Sequence, residues 1–234
     1  MHTLDEGVSP CCGGEIFQHL IDQNVYRVDG TTKDARMKQS INVVQDHLRE
    51  WVKSQGSLTN GYLGGMKLSQ HILVGSGGRA FTHAKAMQSR YLFFFARHEL
   101  YRYLPMLLSG EAATANRSRK LKDAADMLAE FYEISEAHGY KVPPGACRRL
   151  LYVTKAHITG MQAADVELLP KHHGLVEIAK ATLRNGNARL YSNYADEDFN
   201  RVVGAIASVI HPRVFAAALL KRIRVLAMVR QHPW

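Results

Sequence analysis

Apolar residues recur along this chain at helical spacing, in blocks separated by glycine and proline. The clearest block carries Met37, Ile41, Val44, Leu48 and Trp51 at 4-3-4-3 intervals, which puts all five on one stripe of a helix. Thr31 or Thr32 supplies its N-cap and Gly56 its stop. Ahead of it, Ile16, Phe17, Leu20 and Ile21 predict a short helix over 15–25, preceded by a flexible segment, 1–14. Ala84, Met87, Tyr91, Phe94, His98 and Tyr101 predict a helix from a Thr82 cap toward Leu104. Its 91–95 stretch is apolar all round, the pattern of a buried element.

A long helix over 111–138 follows, with Leu121, Ala125, Leu128 and Tyr132 as its inner stripe and Gly139 as its end. Further helices are predicted over 146–158, closed by Gly160, over 161–169, stopped by Pro170, and over 175–184, closed by Asn185-Gly186. Residues 187–194 read as irregular or a short strand. Asp196 caps a helix over 197–210, and Pro212 opens a last one to about residue 230. Gly61, Gly64, Gly65, Gly75, Gly77 and Gly78 make 61–78 a poor helix, since each glycine costs about 1 kcal/mol relative to alanine. That region predicts a loop, with room for a strand or hairpin, and 57–80 is the one place for an internal boundary. The fold class expected is mainly α: a compact multi-helix bundle over 15–234 with a flexible N-terminus.

Charge changes the picture more than composition does. The chain of 234 residues carries a formal +9, and a basic face attracts phosphate. Residues 199–234 contain no acid, while Arg201, Arg213, Lys221, Arg222, Arg224 and Arg230 stand there. The 214–229 run is apolar but includes three of those cations. Each costs about 2.5–3.5 kcal/mol at a bilayer centre, so the run is not expected to span a membrane. Arg117, Arg119, Lys120 and Lys122 gather near the start of the long helix, and Arg148 and Arg149 open the next, with Lys141 and Lys155 near them. A helix starting at Asn116 would set the first cluster against its dipole; a start near Glu111 removes that objection. Arginine forks suit phosphate oxygens, and Tyr101, Tyr103 and Tyr140 are candidates for stacking on unpaired bases.

Catalytic and metal motifs are sparse. Cys11 and Cys12 are adjacent and Cys147 stands alone, which builds no disulfide framework and points to a reducing, cytoplasmic compartment. The spacing of Cys11, Cys12 and His19 does not suit a zinc chelate. Arg97, His98 and Glu99 point in different directions on a helix. The sequence offers no nucleophile elbow and no P-loop.

One string, His71-Ile72-Leu73-Val74 followed by Gly75-Ser76-Gly77-Gly78-Arg79-Ala80, fits G-x-G-x-x-A after a short strand. Such glycines let a backbone approach pyrophosphate. Over 71–80 alone it resembles the opening of the glycinamide ribonucleotide synthetases, a family of ATP-grasp enzymes. In a dinucleotide-binding unit, 91–96 would be the second strand and Glu99 the ribose-binding acid.

The reading expected is non-catalytic binding of nucleic acid, RNA or single-stranded, through phosphate contacts. The residues assigned to it are Arg117, Arg119, Lys120, Lys122, Arg148, Arg149, Arg213, Lys221, Arg222 and Arg224. A self-associating nucleocapsid or coat protein, virion-associated, is one concrete form. The alternatives are a nucleotide-binding enzyme using 75–80 and a peripheral membrane protein docking through the basic C-terminal helix. No resident cofactor or metal is assigned.

Overall fold

At the centre of the bundle lies a helix that the sequence pattern placed too late. In the computed structural model, which describes residues 4–75 and 80–191, a π-helical turn, Leu4–Val8, runs directly into α1, Ser9–Asp22. The stretch 1–14, expected to be flexible, is helical from Leu4 onward and mostly buried, down to Cys11, Cys12, Gly13 and Gly14. Small residues are the reason: this half of α1 packs so closely that it needs no large apolar stripe. A Cβ on Gly14 would lie 2.4 Å from the Phe81 amide nitrogen and 2.6 Å from its Cα. The adjacent cysteines are core side chains, and burial pushes the Cys12 thiol well up, keeping it protonated.

The helix α2, Lys33–Gln55, has the predicted ends: the Thr32 hydroxyl accepts from the Ala35 amide, and Gly56 closes it at φ 88°. Met37, Val44, Leu48 and Trp51 are buried, and Ile41 half-buried, so the stripe faces the core. The glycine-rich region then departs from expectation. It holds two short helices, α3, Ser57–Leu63, and α4, Gln70–Val74. The Gln45 side chain grips the link between them, donating to the Met66 carbonyl and accepting from the Leu68 amide. Residues 71–74, expected as the strand of a dinucleotide unit, are α4, and 91–96 lie inside a helix. No strand occurs among the described residues. The alternating strand and helix that such a unit requires is therefore not built there.

Four long helices complete the described chain. They are α5, Ala86–Leu108; α6, Ala112–Ala137; α7, Pro144–Ala163; and α8, Pro170–Asn185. Lys85 rather than Thr82 precedes α5; Thr82 is buried and its amide donates to the Pro10 carbonyl. The α5 residues Leu92, Phe93, Phe95, Ala96 and Leu100 are fully buried, as an all-round apolar run requires. Helix α6 starts at Ala112, so the basic cluster no longer occupies its first turn and the dipole objection disappears.

Helix α7 runs through Gly160, the expected stop, because that glycine lies against α6. A Cβ there would stand 3.0 Å from the Ala124 Cβ. Pro170 opens α8 instead of ending a helix, at a position where a missing N–H costs nothing. The imidazole of His172 lies 3.0 Å from the Leu169 amide and caps that end. A 3-10 turn, Ala188–Tyr191, follows.

A buried ion pair ties the beginning of the chain to this frame. The Asp5 carboxylate, 0% exposed, accepts from Arg90 Nε at 3.1 Å and a terminal Arg90 nitrogen at 3.0 Å, and from the Tyr132 hydroxyl. The helices predicted over 197–210 and from Pro212 lie outside the described residues, as does the 214–229 run. Among the described residues no helix is long and apolar enough to cross a membrane.

Candidate nucleic-acid interface

Of the ten cations assigned from sequence, six fall on described residues, and they divide by what surrounds them. Arg117 reaches across from α6 to Glu15 of α1 at 3.0 Å. Glu15 is shielded enough that burial raises its carboxyl, with Arg117 pulling the other way. That pair joins two core helices and is structural. Lys122 donates to Asp126 at 2.8 Å and lies 3.7 Å from Asp123. Arg149 donates to Glu130 through Nε at 2.5 Å and a terminal nitrogen at 2.7 Å. Arg119 and Arg148 are exposed, Lys120 half-buried, and none of the three has an ion pair among the described residues. Arg213, Lys221, Arg222 and Arg224 lie outside the described residues.

Magnitudes separate these pairs further. The Arg149 guanidinium is solvated and Glu130 only partly shielded. Exchanging such a carboxylate for a phosphate costs little, because exposed pairs contribute about 0.2–1 kcal/mol. The Glu130 carboxyl is held below its ordinary range by the hydrogen bonds from Arg149.

Among the described residues, the outer face of α7 gathers cations without acids. The helix contains no Asp or Glu. Its inner positions Leu150, Val153, Thr154, His157 and Met161 are buried. The 4-3-4 spacing of Arg148, Tyr152, Lys155 and Thr159 sets those four on the opposite stripe, and all are exposed. Tyr152 is 57% exposed, with the Arg149 guanidinium 4.7 Å from its ring centroid. This tyrosine went unnoticed in the sequence, although its place midway between Arg148 and Lys155 was a readable signal.

The tyrosines singled out earlier fare differently. Tyr103 is half-buried, edge-on to Tyr26 at 5.3 Å, and belongs to the core. Tyr101 is 40% exposed and Tyr140 55%.

The remaining acid–base candidates are structural in their contacts. Arg97 is half-buried, His98 exposed and Glu99 fully buried, so the three diverge as helix geometry required. Glu99, proposed as a ribose-binding acid, lies 2.8 Å from His47 Nδ1 and faces Arg102 at 3.7 Å. His157 Nδ1 donates to the Ala124 carbonyl at 2.9 Å, and burial lowers its imidazole to about 4. His19 Nε2 donates to Ser118, and burial lowers it likewise to about 4.

No protein-family model matches the chain, and no curated protein or solved structure shows significant similarity to it.

Proposed function

We propose that the protein binds single-stranded nucleic acid through phosphate contacts on the outer face of α7, with Arg148 and Lys155 as the principal cations. One observation carries the reading: four exposed residues in succession on that stripe include a tyrosine and two cations with no ion pair among the described residues, and the helix has no acid. Arg148 and Lys155 are two turns apart, about 10 Å along the axis, so they can hold separate phosphates of one strand. Tyr152 between them offers a ring for a base, a contact worth about 1–3 kcal/mol. Arg149 joins by trading Glu130 for phosphate. An unpaired strand suits this surface because its bases are free to reach the ring. Arg119 and Lys120 of α6, and the basic residues of 199–234, extend the contribution of charge.

The test is fluorescence anisotropy of labelled single-stranded RNA and DNA oligonucleotides against the protein and its Arg148→Gln/Lys155→Gln variant. Two charge-assisted contacts at about 1.5–3 kcal/mol each predict at least a tenfold weaker complex. Equal affinity would remove α7 from the interface. A protein that captured anionic vesicles and ignored oligonucleotides would answer instead to the membrane-docking reading.

A further inference from the structure

A cleft of about 450 Å³ lies among α2, α3 and α5, walled by Trp51, Tyr91, Phe94 and Tyr101, with Arg97 and His98 beside them. Core packing explains Trp51, whose ring sits 5.5 Å from Phe95. It does not explain Tyr101, which is exposed at the rim; Phe94, packed 5.5 Å from Tyr132, and Tyr91, stacked 5.3 Å from Tyr62, are half-buried and line the cleft as well.

The charge beside the cleft is arranged around one carboxylate. Asp126 accepts from Arg97 Nε at 2.8 Å, from the Tyr101 hydroxyl at 2.7 Å and from Lys122 at 2.8 Å. Burial pushes its carboxyl up, but the hydrogen bonds from Lys122, Tyr101 and Arg97 outweigh that and hold it ionised. Arg97 and Lys122 share Asp126, and Lys122 also lies 3.7 Å from Asp123, so the charges of this cluster balance. Only Nε of Arg97 is engaged among the described residues, so its two terminal nitrogens remain for an incoming acceptor. The Arg97 and Lys122 charges lie 5.1 and 5.3 Å from the Tyr101 ring centroid, which fixes that ring at the entrance.

Helix α6 links an arginine of the cleft to an arginine of α7. Helix α6 packs against α5 on one side and α7 on the other. Asp126 anchors Arg97 of α5, and Glu130 anchors Arg149 of α7. Those two acids are i,i+4 neighbours on α6, about 5–6 Å apart at Cβ. Arg97 and Arg149 therefore meet one stripe of α6, about one turn apart.

We propose that this cleft is a base-binding subsite, taking one nucleotide of the strand: the base among Tyr91, Phe94 and Tyr101, the phosphate on the terminal nitrogens of Arg97. The assignment to a polymer rests on the function proposed above; recognition of a single nucleotide does not. A planar ring with a doubly charged phosphate matches both halves of the site, aromatic wall and arginine fork.

Trp51 supplies the readout. In a Trp234→Phe background it is the sole tryptophan, since the chain has two. Titration with adenosine 5′-monophosphate should quench its emission saturably, and ribose 5-phosphate should not. Tyr101→Leu and Arg97→Gln should each raise the apparent Kd at least fivefold, and Arg148→Gln/Lys155→Gln should leave it within twofold. Tyr101 is exposed, so its variant is expected to fold; circular dichroism checks this. Unlabelled single-stranded oligonucleotide should compete with the monophosphate.

Absence of quenching, or quenching unchanged in Tyr101→Leu, would overturn the subsite. If that happens while oligonucleotide binding still depends on Arg148 and Lys155, the function stands without the cleft. If the monophosphate quenches and no oligonucleotide binds, the nucleotide site stands and the polymer reading falls.

Discussion

Replacing Asp5 should cost this protein far more than its place near the start of the chain suggests. Its carboxylate is fully buried and receives two nitrogens of Arg90 and the Tyr132 hydroxyl, while Tyr132 also lies 2.7 Å from Ser9 Oγ. Asp5→Ala strips the guanidinium of its main acceptor. Arg90 keeps Glu136 at 3.2 Å, but that carboxylate is half exposed and compensates weakly. Breaking a buried pair by removing one partner costs about 3–5 kcal/mol. Arg90→Met should cost a similar amount, because it leaves a buried carboxylate.

The double variant Asp5→Ala/Arg90→Met removes both charges together, so its loss should fall well below the sum of the singles. Urea titrations of the four proteins, with m held constant, give the coupling directly. A midpoint unchanged in Asp5→Ala, or a double variant whose loss equals the sum, would refute the ion pair. It would also return the first residues to the flexible segment that the sequence suggested.

Three further outcomes follow from the packing and electrostatics. Gly14→Ala should destabilise despite alanine's better helix propensity, because the new Cβ meets the Phe81 backbone. Gly61→Ala, with nothing within 4 Å, should stabilise by about 0.5–1 kcal/mol. Thermal melts that moved both variants the same way would contradict this contrast.

Stability should also decline as pH falls from about 6.5 toward 4. His157 is neutral in the fold with its pKa lowered to about 4, so the unfolded chain takes up the proton first. The slope from this group is at most about 1.4 kcal/mol per pH unit, and His19 titrates in the same window. Urea midpoints at pH 7.5 and 5.0 read it; a flat profile would mean that these imidazoles are not buried neutral. Finally, Glu130→Gln should leave stability within about 1 kcal/mol and strengthen oligonucleotide binding, since it frees Arg149 at an exposed site; weaker binding would contradict the exchange of Glu130 for phosphate.

The sequence revealed the long helices because their cores repeat. The Met37 to Trp51 stripe and the Leu121 to Tyr132 stripe each register a single buried face, and Thr32 and Gly56 mark the ends of the first. It failed where burial depends on small residues or on charge. The segment 1–14 read as flexible but holds the close crossing at Gly14 and the internally paired Asp5, and Gly160 read as a stop but is a contact with α6.

The site was legible in part for the same reason. Residue type told which side chains were cationic. Only the fold told that Arg117 is committed to Glu15 and that Arg148 and Lys155 are not. The aromatic cleft joins α2 to α5, residues some forty positions apart, and no local spacing announces it.

The central claim is that phosphate is held by the outer face of α7, and the salt dependence of binding measures it most directly. For a single strand, log K should fall linearly with log salt, by about 0.7 for each phosphate neutralised. Arg148→Gln/Lys155→Gln should lower that slope by about 1.4. A slope identical in the variant and the unaltered protein would place the phosphate contacts elsewhere and contradict the account.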